Sequence, residues 1–352
     1  MMATNLKKAF DKQILLACKG YSDTFIDKNI KIDIEKIIPA AARKLLPKVE
    51  GNTKGILNYT NLSVLYNSQR KLPFFAAYNI DGSVKKAVKR TGFKPDPRID
   101  QQIQLSQKGF YDLRTDITEF EIGHMAANNE MAWGSDAQFQ SYQTFHFPNS
   151  APQAENLNTG IWKTLEAYII AEAANIQDNK RICVFTGPLL RENDPLYAKD
   201  EDFKIPLLFF KIIVFATTKG LFSTGFLMSH EQRMIELGML AKSGLVRGMR
   251  EISRKAEPAF TDFKYKHVFQ VNINYLEEQT GLNFTWPGVK PIAVPNDKNQ
   301  IKKIGKIKTA KDAEKFKSTM RGFIIPDAHL VEGDLTERDI KNKSFGLNII
   351  LP

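Results

Sequence analysis

The spacing of apolar residues predicts a helical start to the chain and a sheet after it. Three apolar residues recur four positions apart, as on one face of a helix: Leu6, Phe10 and Ile14. A second apolar pattern covers residues 34–46 and is interrupted by Pro39. We therefore expect residues 1–54 to form a helical N-terminal extension that serves in packing or dimerisation.

After residue 54 the apolar period changes to that of strands. Residues 62–66 and 73–80 predict a strand pair, and the second strand should end at the Asp81-Gly82 turn. Three more apolar runs predict strands, near residues 182–185, 206–216 and 221–228. The run at residues 206–216 is long, which indicates a buried central strand.

The middle of the chain carries a further predicted strand and helix. Thr144 to Phe147 alternates as a strand does, which would place Phe145 and Phe147 on one face and Thr144 and His146 on the other. We expect His146 to be a structural hydrogen-bonding residue. A helix should run from residue 160 to about 175, with a core face of Ile161, Leu165, Tyr168 and Ile169.

Three nearby segments contain the residue types that phosphodiester hydrolysis needs. They are Glu121-Ile122-Gly123-His124, Phe147-Pro148-Asn149-Ser150-Ala151-Pro152-Gln153, and Asn158-Thr159-Gly160-Ile161-Trp162 continuing to Leu165-Glu166. The reaction needs a base near neutrality and a cation that offsets charge on the leaving oxygen. His124 can be the base. The carbonyl of Asn158 suits a hard cation such as Mg²⁺, which keeps several of its waters.

The last segment also has the spacing of a helix face. Asn158, Trp162 and Glu166 are each four residues apart, so they share one stripe if a helix starts near Thr159. Trp162 can then anchor the helix, while Glu166 holds a metal-bound water or orients Asn158. Each residue alone also fits a structural role, because an isolated histidine or an Asn-x-Gly turn is more often a packing or capping element.

In this order and spacing, residues 121–166 resemble the DNA/RNA non-specific endonuclease family. That family cuts phosphodiesters with one histidine base and one metal ion in a ββα-metal finger. The resemblance implies that His124 is the general base, that Asn158 binds Mg²⁺ or Mn²⁺, and that Glu166 supports the metal's water shell. It also implies that Asn149 fixes the finger through backbone hydrogen bonds. The products would carry 5′-phosphates.

Two other positions bear on activity. The stretch from Lys89 to Arg98 resembles the one in which the family keeps a phosphate-binding arginine, which implies that role for Arg90. The family usually has Asp-Arg-Gly-His, whereas this chain has Ile122 in place of the arginine. A donor that faces the developing charge is worth about 2.7–4 kcal/mol. A catalytically weakened nucleic-acid-binding protein of the same fold therefore stays open as an alternative.

Composition is consistent with a polyanionic partner. The formal net charge is +11 over 352 residues, so the surface should attract DNA and RNA through a salt-sensitive field. The two cysteines, Cys18 and Cys183, argue against a disulfide framework and a zinc cluster. No secretory leader and no run of about 18 apolar residues is evident. We expect a cytoplasmic protein without a membrane partner, and leave leaderless export open.

Together these features predict an α+β fold in which a ββα-metal finger nuclease is built on a mainly antiparallel central sheet. The nuclease domain would occupy residues 55–290, after the helical extension of residues 1–54 and before a basic C-terminal extension of residues 291–352. The lysine-rich part of that extension, between Lys298 and Lys317, either follows a phosphate backbone or forms a solvated surface. A homo-oligomer or a regulatory partner stays open, and both extensions are candidates for regulation.

Overall fold

The structure is a computed structural model that describes most of the chain. It covers residues 2–111, 120–154, 162–163, 165–166, 169–170, 180–197, 200–230, 234, 268–294 and 328–331. The α-helices are α1 (Met2–Ala9), α2 (Lys12–Leu16), α3 (Ala40–Arg43), α4 (Ala137–Gln143) and α5 (Ile273–Thr280). Short 3₁₀ helices occupy Ile34–Lys36, Gly82–Val84, Gln101–Ile103 and Phe147–Asn149, and a π-helical turn occupies Gln107–Tyr111.

The strands dominate the architecture. They are β1 (Ile56–Tyr59), β2 (Leu62–Asn67), β3 (Leu72–Asp81), β4 (Phe120–His124), β5 (Ser150–Ala154), β6 (Arg181–Pro188), β7 (Leu196–Tyr197), β8 (Asp200–Lys204), β9 (Leu208–Thr217), β10 (Gly220–Ser229), β11 (Val268–Val271), β12 (Val289–Pro291) and β13 (Ala328–Val331). Among them, the main sheet has the order β1-β2-β3-β6-β9-β10-β11-β13, and β12 pairs with β10. Neighbours along that order are antiparallel, and only the described β12–β10 pairing is parallel. The predicted mainly antiparallel sheet is confirmed, and β9 is its buried central strand.

The two faces of the main sheet bury separate hydrophobic clusters. Successive residues of a strand point to opposite faces, so β9 contributes to both. Phe210 and Ile212 pack in the cluster that includes residues of the N-terminal segment, whereas Phe209 packs with Trp162 and the residues around β4 and β5. Trp162 and the buried apolar residues around β4 and β5 therefore lie on the sheet face opposite to most of the N-terminal segment.

The N-terminal segment is helical only in part. The apolar pattern at residues 34–46 gives a 3₁₀ turn and the four-residue α3, which begins after Pro39. Ile32 and Ile37 are fully buried in the core. Backbone atoms of this segment also bond to later parts of the chain, since the Asn283 amide donates to the Ile37 carbonyl at 2.9 Å. The segment thus supplies core structure on one face of the sheet.

The C-terminal segment contributes an edge strand. β13 pairs antiparallel with β11, where Ala328 lies opposite Val271. The lysine-rich stretch from Lys298 to Lys317 lies outside the described residues. Among the helices that the structure describes, none is long and apolar enough to cross a membrane.

The predicted strand at Thr144–Phe147 is wrong. These residues follow the end of α4 and lead into the 3₁₀ turn Phe147–Asn149, in which Pro148 occupies the first turn. All four residues are buried, so the alternation of polar and apolar residues does not correspond to a solvent-facing and a core-facing side of a strand. The strands of the finger are instead β4 and β5, on either side of this segment.

Candidate active site

The antiparallel pair of β4 and β5 places His124 at the end of a two-stranded ribbon. In its register His124 lies opposite Ser150, and Gly123 lies opposite Ala151. A Cβ atom at position 123 would come within 2.0 Å of Oε1 of Gln153. Glycine before the histidine therefore lets the Gln153 side chain lie directly across β4.

Asn149 connects the two sides of this ribbon through its side chain. Its Oδ1 accepts from the Ala126 amide at 3.0 Å. Its Nδ2 donates to the carbonyls of Ala126 and Thr144, at 2.9 Å each. The amide thus bonds the turn after β4 to the loop before β5, which is a fully buried arrangement.

His124 is held in an aromatic environment. Its ring centroid lies 4.5 Å from that of Phe93 and 4.7 Å from that of Phe145, the second edge to face. Its Nε2 atom is buried and has no hydrogen-bond partner in the described part of the chain. Burial, and then the charge of Arg90, lower the pKa of His124 to about 3. The imidazole is therefore neutral near pH 7 and has an unprotonated ring nitrogen.

Arg90 is the cation beside this histidine. Its guanidinium carbon lies 5.8 Å from the ring centroid of Phe145, on which His124 also packs. The Arg90 side chain is exposed to solvent. Ile122 is half-buried against the core and lies two residues before His124 on the same face of β4. The position of the family's arginine is thus apolar, and a different arginine approaches the base.

Trp162 and Glu166 lie one helical turn apart and face the same lysine. Nζ of Lys211 lies 5.0 Å from the Trp162 ring centroid and 3.8 Å from Oε1 of Glu166. Trp162 is 1% exposed, as expected for a residue that anchors a helix. Leu165 and Ile169 of the predicted core face are buried as well. Asn158, Ile161 and Tyr168 lie outside the described residues.

Lys211 belongs to a buried polar cluster that sequence reasoning missed. Its Nζ lies 2.9 Å from Oε1 of Glu130 and donates to the Tyr78 hydroxyl at 2.9 Å. That hydroxyl donates to Oε2 of Glu130 at 2.7 Å, and the Ala127 amide donates to the same oxygen at 3.0 Å. The one available signal was a lysine in the middle of the apolar run of β9.

This cluster links the turn after His124 to Glu166. Glu130 binds the backbone of that turn through Ala127, and Lys211 stands between Glu130 and Glu166. Burial and the nearby charge of Glu130 raise the pKa of Glu166, although Lys211 opposes the shift. In the described residues, Lys211 is therefore the cation shared by the Glu130 and Glu166 carboxylates. It lies closer to Glu130, so the negative charge of Glu166 is less completely balanced.

His146 has its own buried environment. Its Nδ1 lies 2.9 Å from the Gln143 carbonyl, and its ring packs 4.9 Å from that of Tyr59. A hydrogen bond to backbone within the same segment agrees with the structural role expected for it. No group of three or more His, Cys, Asp or Glu residues suited to a metal occurs in the described ranges.

Sequence comparison identifies the family. The profile of the DNA/RNA non-specific endonuclease family matches residues 44–290. The chain belongs to this family. The match begins eleven residues before the boundary expected at residue 55, so it includes Leu45, Leu46 and Val49 of the N-terminal segment.

Individual relatives of this endonuclease-family chain are more distant. The protein y4fB of Sinorhizobium fredii is 28% identical over 231 residues, which are 62% of this chain and 34% of the relative. The mitochondrial nuclease EXOG of Homo sapiens is 26% identical over 134 residues, 37% of this chain and 33% of that protein. The mouse EXOG is 25% identical over 136 residues. The chain thus spans about a third of the length of these relatives.

A solved structure described as the EndoG/EndoGI complex, with the mechanism of EndoG inhibition, also resembles the chain. The identity is 22% and the TM-score is 0.45, over 65% of this chain and 84% of that one.

Proposed function

We propose that this protein is a divalent-metal-dependent endonuclease that hydrolyses DNA and RNA with little sequence preference. The observation that carries the proposal is a buried His124 whose Nε2 has no hydrogen-bond partner among the described residues, beside Arg90 and within the Gly123-His124 motif. In this role His124 takes a proton from the attacking water. Arg90 binds a non-bridging oxygen of the phosphate and stabilises its growing charge.

The residues of the finger fit a hard divalent cation. Asn158 would supply a carbonyl oxygen and Glu166 a carboxylate for the water shell, and oxygen donors are what Mg²⁺ and Mn²⁺ take. A bound cation would offset charge on the leaving oxygen. The Glu166 carboxylate favours this use, because its only described cationic neighbour, Lys211, is 3.8 Å away and already paired with Glu130.

Asn149 and Trp162 act as supports in this proposal. The three side-chain hydrogen bonds of Asn149 hold the turn that follows His124. Trp162 fills the core beneath the finger helix, with its ring centroid 6.3 Å from that of Phe209 in β9. Loss of either residue should move the base relative to the metal ligand.

The proposal is tested with plasmid DNA and RNA in the presence of Mg²⁺, Mn²⁺ or a chelator. His124→Ala should abolish cleavage while binding and folding persist, and Asn158→Ala should weaken metal activation. His146→Gln is the matched control, since it alters another buried histidine of the same region. Cleavage by His124→Ala at the parent rate would contradict the assignment of the base.

The half-buried Ile122 favours a second function, nucleic-acid binding with weakened catalysis. The same assay separates the two. A folded parent protein that binds DNA but leaves plasmid and RNA intact with every metal would support binding without catalysis.

A further inference from the structure

Five cations lie within ten residues on one side of the candidate active site. The segment Lys85–Lys94, named here the basic strip, contains Lys85, Lys86, Lys89, Arg90 and Lys94 and no acidic residue. All five side chains are exposed. None of the ion pairs found in the described residues uses any of them. Within the described part of the chain, the basic strip is therefore a positive surface without an ion-pair partner.

Backbone hydrogen bonds fix the path of the strip at three places. The Lys86 amide donates to the Ala132 carbonyl at 2.8 Å, near its start. In the middle, the Gln138 side chain makes two hydrogen bonds to the Lys89 backbone. Its Oε1 accepts from the Lys89 amide at 2.8 Å, and its Nε2 donates to the Lys89 carbonyl at 3.0 Å. At its end, the Lys94 amide donates to the Phe145 carbonyl at 2.9 Å. The lysines therefore have a defined placement relative to the finger.

The strip ends at the candidate base. Phe93 packs its ring 4.5 Å from that of His124, and the charge of Arg90 acts on the same histidine. Lys94 is already engaged, because its ammonium lies 4.7 Å from the ring centroid of Phe10. The three remaining lysines, Lys85, Lys86 and Lys89, lead away from the site where a phosphate would be cut.

The chemistry of the strip selects phosphates and not bases. Single-stranded nucleic acid is usually held by stacking of bases on aromatic side chains. Trp133, which lies beside Lys85, is half-buried, packs 5.7 Å from Phe25 and donates its indole N–H to the Asn79 carbonyl. The large apolar side chain exposed in the described residues is Val84, which offers no ring. A row of ammonium groups with no exposed aromatic ring beside it in the described ranges fits the backbone of a duplex.

We propose that Lys85, Lys86 and Lys89 bind the sugar-phosphate backbone of duplex nucleic acid beside the phosphate that is cut. This inference rests on the proposed function, which supplies the position of the cut. The six residues from Lys85 to Arg90 are joined by five steps, which reach at most about 18 Å when extended. One strand of a duplex carries a phosphate about every 3.4 Å of axis, so the strip covers roughly five nucleotides.

The test compares two triple variants with the same change of charge. The strip variant carries Lys85→Gln, Lys86→Gln and Lys89→Gln. The control variant carries Lys28→Gln, Lys36→Gln and Lys44→Gln, three exposed lysines of the N-terminal segment. Binding of a 20-base-pair duplex is measured in chelator over a range of salt, so that no cleavage occurs. Cleavage of the same duplex and of bis(4-nitrophenyl) phosphate is measured with Mg²⁺.

A plot of the logarithm of the binding constant against the logarithm of salt concentration should be less steep for the strip variant than for the parent. Each lost phosphate contact should reduce the slope by about 0.9, so three lost contacts should reduce it by about 2.7. The strip variant's cleavage of the duplex should fall, while its hydrolysis of the small diester should match the parent, because that substrate reaches only the catalytic residues. An unchanged slope, or an equal loss in the control variant, would overturn the proposal. If the parent binds duplex but cuts neither substrate, the proposed function fails, and the binding slopes still decide on the strip.

Discussion

The ammonium nitrogen of Lys211 lies 2.9 Å from Oε1 of Glu130, and both side chains are completely shielded from solvent. The two residues are 81 positions apart in the chain. Burial of charges is costly unless they are paired and hydrogen-bonded, and here the Tyr78 hydroxyl and the Ala127 amide complete the pairing. The pair joins the central strand β9 to the turn that follows His124.

Removing one partner of this pair should destabilise the protein strongly. Lys211→Met leaves the Glu130 carboxylate buried without its cation, which typically costs about 3–5 kcal/mol in the free energy of unfolding. The double variant Glu130→Gln/Lys211→Met should lose less than the sum of the two single variants. Urea denaturation of all four proteins measures this. Single effects that add within about 0.5 kcal/mol would show that the two residues are not coupled.

The sequence predicted the main strands because their apolar runs are long and rich in β-branched and aromatic residues. Residues 62–66 and 73–80 fall within β2 and β3, and the run at residues 206–216 overlaps β9, which begins at Leu208. The run Thr144–Phe147 failed because alternation over four residues is too short to distinguish a strand from a buried turn, and Pro148 follows it.

Part of the candidate site could also be predicted. Gly123-His124 and Asn149 were found because they lie close together in the sequence, within one motif. Their contacts are made between β4, β5 and the residues next to these strands. Glu130 and Lys211 could not be paired from the sequence, since only the tertiary fold brings β9 beneath the finger. Arg90 illustrates a middle case, because its role was inferred from resemblance whereas its effect on His124 depends on the packing of Phe145.

An arginine at position 122 should speed up cleavage. Ile122 lies two residues before His124 on one strand, so Ile122→Arg would bring a guanidinium to the face of the base. A donor that faces developing charge is worth roughly 10²–10³ in kcat, and we expect a gain toward that range. Single-turnover cleavage of a labelled duplex measures it, with Ile122→Gln as the uncharged control. A folded Ile122→Arg protein that cuts no faster would mean that Arg90 already supplies this charge.

Stability should fall as the pH is lowered below about 6.5. Burial is the first cause that lowers the pKa of His124 to about 3, of His230 to about 4, and of His146 as well. Below the ordinary pKa of histidine the unfolded chain binds protons that the folded protein does not, so the free energy of unfolding decreases. Glu166, whose pKa is raised, opposes this trend at pH values above the ordinary pKa of glutamate. Asp194, whose pKa is raised by burial, opposes the trend as well, but near the ordinary pKa of aspartate. Three histidines against these two carboxylates give a net loss on acidification between about pH 6.5 and 5.

Urea unfolding at pH 7, 6 and 5 measures that dependence. Each net proton contributes up to about 1.4 kcal/mol per pH unit. His124→Asn is the informative variant, because the Nε2 atom it removes makes no hydrogen bond in the described residues. Its profile should be flatter than that of the parent by about one proton. Parallel profiles for the two proteins would show that His124 titrates equally in the folded and unfolded states.

Removal of the N-terminal segment should unfold the protein, and not release its activity. Leu15, Ile32 and Ile37 are fully buried in the core. The Arg98 guanidinium, itself paired with Asp96, donates to the Leu15 carbonyl at 3.0 Å. Loss of one buried leucine or isoleucine side chain costs about 2–5 kcal/mol, and a whole domain is stable by only about 5–15 kcal/mol. A chain that starts at residue 55 therefore lacks more core than its stability can offset.

Two truncations separate a structural segment from a regulatory one. Deletion of residues 2–8 removes most of α1 and leaves those three core residues in place, so this protein should fold and cut DNA at the parent rate. Deletion of residues 2–54 should give no cooperative unfolding transition in urea and no cleavage. If the longer deletion instead yields a folded protein that cleaves faster than the parent, the segment inhibits the site, and its buried contacts are the restraint that deletion relieves.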